Sequence, residues 1–185
     1  MIFVDRCANR LADANNINGE EREILRYGLA VIYINLSKTA ILILLAALMG
    51  ILKETAALLC VYAAVRSAGF GFHSDNSIKC TIIGVAEFIF ATVAAITLKP
   101  IQIPVCVTMF LLCIVVFAVY APAETEKRPI SAGHKKIFKT AVIAITAIML
   151  ALSLMAGNSV YRNLITFGVC LEALSILPVM KKILK

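Results

Sequence analysis

A cysteine and a histidine that could perform nucleophilic chemistry lie seven positions apart in one short segment. His73 is followed by Ser-Asp-Asn-Ser-Ile-Lys and then by Cys80. A cysteine thiolate is a strong nucleophile, and an imidazole that titrates near neutral pH can accept the thiol proton. Lys79 and the start of a following helix would both stabilise a thiolate at Cys80. The pair therefore predicts a thiol-dependent nucleophilic site.

Contact between these two side chains requires the chain to turn between them. On a continuous helix, residues seven apart share a face but lie about 10 Å apart along the axis. The intervening Ser-Asp-Asn-Ser at 74–77 is a favourable turn sequence. Asp75 could orient His73, but it fits a turn-forming role equally well. The alternative is that His73 is an ordinary loop residue and Cys80 packs at a helix end.

The elements that position this segment are predicted from composition. Of 185 residues, 61% are apolar, whereas a soluble domain has roughly 45–50%. The sparse charge excludes a disordered chain, and the net charge of +7 is not gathered into the basic face of a nucleic-acid-binding protein. A bilayer is crossed by about 20 apolar residues. Six such spans are predicted, at about 30–52, 55–72, 81–98, 103–120, 140–156 and 163–177.

These spans predict an all-α, polytopic membrane fold with an additional N-terminal segment. Residues 1–28 are predicted to form an amphipathic segment in the membrane interface, followed by a membrane domain at 29–185. Its apolar helical face carries Phe3, Val4, Cys7, Leu11 and Ala14. The alternative is a cytosolic helix that packs on loops. The two histidines, His73 and His134, fall in different connections, and we expect neither a metal nor a cofactor.

The cations predict the orientation of the spans. Lys53, Lys99 and Arg162 fall on one side of the membrane, and Lys38 lies within the first span. All other lysines and arginines fall on the opposite side if the N-terminus is inside. Because cytoplasmic loops carry an excess of Lys and Arg, this bias predicts that both termini are cytoplasmic.

Two segments resemble the accessory gene regulator B (AgrB) family of bacterial membrane peptidases. The first runs from Arg66 through the Gly-Phe-Gly-Phe-His sequence at 69–73 to Cys80. The second covers residues 120–130, with Lys135 and Lys136 after it. Chain length, number of spans and the basic N-terminal segment also agree with the family. One departure is that a phenylalanine separates the glycine pair that usually precedes the histidine.

The resemblance implies a cysteine endopeptidase of the bacterial cytoplasmic membrane, with His73 as base and Cys80 as nucleophile. Its substrate would be an AgrD-like quorum-sensing propeptide with an amphipathic leader, a signal core and an acidic tail. Cleavage before the tail would leave a Cys80 thioester, which a core cysteine or serine could displace to form a thiolactone or lactone. The resemblance also implies a homodimer.

Charged residues near this segment are candidates for substrate binding. The basic candidates between the fourth and fifth spans would meet an acidic tail. They equally fit a role in setting topology and in binding anionic lipids. Glu87 continues the helical face of Cys80, although structural pairing with Lys38 or Arg66 is the alternative. The candidates are Arg66, Lys79, Glu87, Lys127, Arg128, Lys135 and Lys136.

A different class of function stays open. A small transporter or peptide exporter would use the intramembrane charges Glu87, Glu172 and Lys38 along its path, since such charges commonly line one. Structural pairing is also an alternative for Glu172. A membrane scaffold without catalytic activity is a third possibility.

Overall fold

A computed structural model describes residues 2–15, 17–70, 77–122, 132–157 and 159–183. This part of the chain is helical and contains no strand, which confirms the predicted all-α class. The helices are α1 (Ile2–Ala14), α2 (Glu20–Leu48), α3 (Leu52–Gly69), α4 (Ser77–Thr97), α5 (Ile103–Tyr120), α6 (Ala132–Met155), α7 (Val160–Ile176) and α8 (Pro178–Ile183).

Three of these helices are long and apolar enough to cross a membrane. They are α2, α5 and the part of α6 from Gly133 onwards, and a shorter apolar helix covers Thr81–Thr97. The helix α5 has the same limits as the span predicted at 103–120. Its sequence carries no charge, so the apolar run and the helix coincide. The six membrane crossings themselves stay a prediction.

Two helices begin well before the apolar runs that predicted them. The helix α2 starts at Glu20 and α6 at Ala132, rather than near residues 30 and 140. The first turn of α2 contains Glu20, Glu21 and Glu23, which suit the positive end of a helix. An apolar window detects only the part of a helix that fits lipid, so it misses a polar extension.

The described chain divides into two compact units, Met1–Leu44 and Leu45–Lys185. In the first unit, Arg26 Nε donates to Asp5 Oδ1 at 2.7 Å, and Arg22 Nη2 lies 3.2 Å from Asp13 Oδ1. These ion pairs join α1 to the beginning of α2. The predicted N-terminal helix is therefore present, and its ionic contacts are made with the first turns of the next helix.

The buried face of α1 differs from the predicted one. Val4, Ala8 and Ala12 are buried, at spacings of four residues, whereas Leu11 is 45% exposed and Ala14 is also exposed. Small alanines suit close contact between elements, and the prediction followed the bulkier residues instead. An interfacial position of this helix stays a prediction.

In the second unit, α7 is the central helix. It packs against α3, α4, α5 and α6, while α3 also contacts α4 and α6, and α5 contacts α6. Because neighbours surround it, α7 can carry polar residues that lipid would not accept, and these bond to other helices. The buried polar residues of α7 are Arg162, Asn163, Thr166 and Glu172.

The helix α5 has one face that is buried in the bundle and another face that is apolar and exposed. Its buried residues are Cys106, Phe110, Cys113 and Phe117, which follow one another at helical spacings of four and three. Its exposed residues include Leu112 and Val119, each 62% exposed. An apolar surface of this kind suits a hydrocarbon environment.

Two glycines allow α3 and α7 to approach closely. A Cβ at Gly168 of α7 would lie 2.8 Å from Val61 Cγ1 and 3.3 Å from the carbonyl oxygen of Leu58, both on α3. A Cβ at Gly69 of α3 would lie 2.9 Å from Glu172 Oε1 and 3.0 Å from Ile176 Cδ1 on α7. Small residues at such crossings are typical of packing between membrane helices.

The first turn of α7 holds the connection between α4 and α5. Asn163 Nδ2 donates to the carbonyl oxygen of Ala95 at 3.0 Å, and Asn163 Oδ1 accepts from Ile101 N at 2.8 Å. Arg162 Nη1 donates to the carbonyl oxygen of Ile101 at 3.1 Å. Arg162, assigned from the sequence to a connection, is thus only 5% exposed. Its charge satisfies backbone carbonyls inside the protein.

A second polar contact joins three helices in the interior. Cys106 Sγ of α5 lies 3.3 Å from Ser153 Oγ of α6 and 3.5 Å from Thr166 Oγ1 of α7. Thr166 Oγ1 also donates to the carbonyl oxygen of Arg162 at 2.8 Å. Hydroxyl and thiol groups of this kind commonly link helices in a membrane.

Candidate functional site

The predicted nucleophile lies in the first turn of α4. This helix begins at Ser77, before the predicted start near residue 81, so Cys80 is its fourth residue. Backbone N–H groups at a helix start have no partner within the helix, and they favour a negative charge nearby. His73 and Asp75 lie outside the described residues. Pairing of His73 with Cys80 therefore stays a prediction.

The end of α3 has an uncommon backbone conformation. Phe70 follows the helix with φ 55° and ψ 44°, in the left-handed region, and its N–H bonds the carbonyl oxygen of Arg66 at 3.2 Å. A side chain in this region costs roughly 1–2 kcal/mol, which a glycine would avoid. The Phe70 ring packs edge-to-face on Phe138 of α6, with centroids 4.7 Å apart. Tertiary packing thus supports this turn.

Just before this turn, Arg66 is the centre of a polar cluster. Its Nη1 donates to Glu172 Oε2 at 2.9 Å, to the Tyr62 hydroxyl at 2.7 Å and to Ser175 Oγ at 3.2 Å. The Glu172 side chain is fully buried, and that of Arg66 is 19% exposed. We call these four residues the Arg66–Glu172 cluster. It ties the last turn of α3 to the C-terminal part of α7.

The last turn of α3, the last turn of α5 and the early part of α6 meet at one end of the second unit. The Phe70–Phe138 contact brings the end of α3 to the early part of α6. Lys139 Nζ of α6 donates to the carbonyl oxygen of Ala118, in the last turn of α5, at 2.7 Å. The connection that contains His73 and the connection between α5 and α6 therefore start from the same end of the bundle.

Comparison with known proteins identifies the family. A family model described as Accessory gene regulator B matches residues 4–176, which is nearly the whole chain. The chain belongs to the AgrB family. The expected resemblance is confirmed, and with it a general role in accessory gene regulation and quorum sensing.

Individual AgrB relatives match at moderate identity over most of their length. An AgrB-like protein of Clostridium acetobutylicum is 30% identical over 169 residues, covering 91% of this chain and 80% of the relative. One of Listeria welshimeri is 29% identical over 184 residues, covering 98% and 90%. The Accessory gene regulator protein B of Staphylococcus epidermidis is 30% identical over 176 residues, covering 95% and 90%. No solved structure matches the chain significantly.

In this AgrB chain, Glu172 forms a structural pair, which was one of its predicted alternatives. Its partner Arg66 was counted with the cations of the cytoplasmic side, and it lies inside the last turn of α3. Sequence reasoning did not identify Tyr62 and Ser175, since neither belongs to a motif. The sequence signal for this cluster was that Arg66 and Glu172 are ionisable residues in apolar segments. Such residues usually bond to other groups of the protein.

The basic candidates divide between described and undescribed residues. Lys135 and Lys136 were expected in a loop, but they lie in the first turns of α6 and are exposed, as is His134. The helix extends here beyond its apolar part. Lys127 and Arg128 lie outside the described residues. A role of these cations in substrate binding stays a prediction.

The remaining candidates are spread over other helices. Lys79 is exposed in the first turn of α4, and Glu87 is exposed two turns further along. The neighbouring Phe88 packs edge-to-face on Tyr62, with centroids 4.9 Å apart. Lys38 is half-buried in α2. Among the described residues, no group of three or more His, Cys, Asp and Glu side chains could hold a metal.

Proposed function

We propose that the chain is a membrane-embedded cysteine endopeptidase that removes the acidic tail from an AgrD-like propeptide and cyclises the core. The observation that carries this proposal is the location of Cys80 in the first turn of α4, where the helix start favours a thiolate. The family supports it, because AgrB relatives match over nearly the whole chain.

The proposed reaction uses two residues. Cys80, deprotonated by His73, attacks the carbonyl carbon at the junction of core and tail. The C–N bond breaks, and the tail leaves as an amine that takes the proton from His73. The acyl group remains on Cys80 as a thioester. A core cysteine or serine then displaces Cys80 to give a thiolactone or lactone, and exclusion of water favours this step over hydrolysis.

Cations at the same end of the bundle would guide the acidic tail. Lys135 and Lys136 are exposed at the beginning of α6, and Lys127 and Arg128 precede them in the chain. Attraction between exposed charges weakens with salt, so propeptide binding would weaken as well. The same cations would also contact anionic lipid headgroups.

The proposal includes a topology and an assembly. Six spans with both termini in the cytoplasm would put this basic end where a new propeptide arrives. Lys53 precedes most of α3 and Lys99 follows α4, so both lie at the opposite end from the turn at Phe70, and both are exposed. The protein would act as a homodimer in the bacterial cytoplasmic membrane.

The direct test is co-expression of the chain with an AgrD-like propeptide. Mass spectrometry would detect the shortened product and its cyclisation. We expect Cys80→Ala to abolish cleavage because no other group replaces the nucleophile, while membrane insertion persists. Cleavage by a correctly inserted Cys80→Ala variant would contradict the proposal.

The transporter alternative makes the opposite prediction. It requires that Glu87→Gln abolishes transport and that Cys80→Ala leaves transport intact. The buried ion pair of Glu172 with Arg66 disfavours this alternative, because Glu172 is then engaged with protein and fully enclosed. A result in which only Glu87→Gln fails would favour transport over peptidase activity.

A further inference from the structure

Glu172 has a burial and a set of contacts that the proposed chemistry does not use. Its side chain is fully buried on the central helix α7. Its Oε2 accepts hydrogen bonds from Arg66 Nη1 at 2.9 Å and from Ser175 Oγ at 3.0 Å. Its Oε1 lies where a Cβ on Gly69 would come within 2.9 Å. The carboxylate therefore bonds one residue of the last turn of α3 and closely approaches another.

Stability alone does not account for such a pair. Desolvation of two charges offsets much of their attraction, and apolar residues of similar volume often replace a buried ion pair without loss of stability. An ion pair differs from an apolar contact in fixing direction and register, because hydrogen bonds to a guanidinium require defined geometry. Arg66 and Glu172 thus fix the last turn of α3 against α7.

Three contacts converge within the last five residues before the catalytic segment. Arg66 bonds Glu172, Gly69 approaches the same carboxylate, and Phe70 takes a left-handed conformation against Phe138. A left-handed phenylalanine persists only where the surroundings hold it. The segment with His73 follows directly after Phe70, so the end of α3 is the part of the described chain from which this segment departs.

We infer that Glu172 is a positioning residue, which acts through Arg66 to orient the end of α3 and thereby the approach of His73 to Cys80. This inference rests on the proposed peptidase function. It assigns Glu172 a role at the site without contact to substrate. Glu172 then affects the rate of the chemical step more than the affinity for propeptide.

The test compares two near-isosteric variants of the same helix. Glu172→Gln removes the charge but keeps the shape, and Thr166→Val removes a buried hydroxyl that contacts Cys106 and Ser153 elsewhere in the bundle. The full chain in lipid nanodiscs would be assayed with the AgrD-like propeptide that the wild type cleaves. We expect Glu172→Gln to lower kcat about tenfold, with KM within about twofold. Thr166→Val should keep kcat within about twofold.

A double variant separates positioning from stability. Arg66→Met with Glu172→Met replaces the ion pair by an apolar contact, which should support folding even if Glu172→Gln unfolds. Positioning predicts that the double variant inserts and has the thermal stability of the wild type, yet keeps the low kcat. Recovery of wild-type kcat together with stability would overturn the inference, because the pair would then be structural only.

The outcomes for Glu172 differ from those for the peptidase itself. An unchanged kcat in Glu172→Gln, or a raised KM with unchanged kcat, would overturn the positioning role while leaving the peptidase intact. Failure of the wild type to cleave any AgrD-like propeptide would overturn the proposed function and this inference with it. Once the wild type cleaves, the comparison of Glu172→Gln with Thr166→Val therefore tests the positioning role of Glu172 and not the peptidase activity itself.

Discussion

At the scale of single residues, Gly69 links helix packing to the predicted catalytic segment. It lies in the last turn of α3, where a Cβ would come 2.9 Å from Glu172 Oε1 and 3.0 Å from Ile176 Cδ1. The carboxylate is held by Arg66 and Ser175, so it has little freedom to move away. The absence of a side chain at Gly69 is therefore a packing requirement.

We predict that Gly69→Ala destabilises the protein by about 1–3 kcal/mol, as is typical of overpacking in a well-packed interior. Thermal unfolding in detergent micelles would measure the effect. Gly28→Ala in α2 is the matched control, because a Cβ there meets nothing within 4 Å. It should be neutral or stabilising, since alanine favours a helix. Equal effects of both substitutions would contradict this explanation.

Sequence predicted some of these residues and not others. The pair of His73 and Cys80 could be proposed from the sequence because its chemistry and spacing are local, and it stays a prediction. The partner of Arg66 could not, because Glu172 lies 106 residues away and only folding brings them together. Tyr62 and Ser175 are of types that occur throughout such helices. The ionisable type of Glu172 indicated a structural pair as one of its two alternatives, and the structure shows that pair.

At the scale of elements, α7 organises the second unit. It packs against α3, α4, α5 and α6, and polar residues near both of its ends bond to other parts of the bundle. Near its start, Asn163 Nδ2 donates to the carbonyl oxygens of Ala95, Leu98 and Lys99, and thus satisfies groups at the end of α4. Near its end, Glu172 bonds α3. One helix thus fixes the connection between α4 and α5 at one end and the last turn of α3 at the other.

We predict that Asn163→Leu destabilises the protein by about 1–3 kcal/mol, because it leaves buried backbone groups without partners. Hydrogen exchange should become faster at residues 98–102, and thermal unfolding would measure the stability. Thr97→Val is the control, since the exposed Thr97 hydroxyl bonds its own helix. Unchanged exchange in Asn163→Leu would show that this contact does not hold the turn.

Apolar length predicted the existence of the helices better than their limits. The uncharged α5 was predicted at both ends, because its apolar sequence coincides with the helix. In α6 the helix extends back to Ala132 through Lys135 and Lys136, which an apolar window excludes. The central position of α7 could not be predicted, since several helices of similar composition compete for it.

At the scale of the whole molecule, charge distribution predicts orientation. Six spans would place Lys53 and Lys99 outside, and Lys135 inside. Single-cysteine variants at these positions, in a background without native cysteines, would test this in intact cells. A membrane-impermeant maleimide should label Lys53→Cys and Lys99→Cys but not Lys135→Cys. Labelling of Lys135→Cys from outside would contradict the proposed topology.

The central claim is that Cys80 carries the acyl group of the propeptide. Intact-mass spectrometry of the purified chain, quenched in acid during turnover, measures this most directly. We predict an adduct with the mass of the acyl group formed by leader and core, located on Cys80 and released by hydroxylamine, as expected for a thioester. Propeptide cleavage without such an adduct on Cys80, or an equal adduct in Cys80→Ala, would contradict the account.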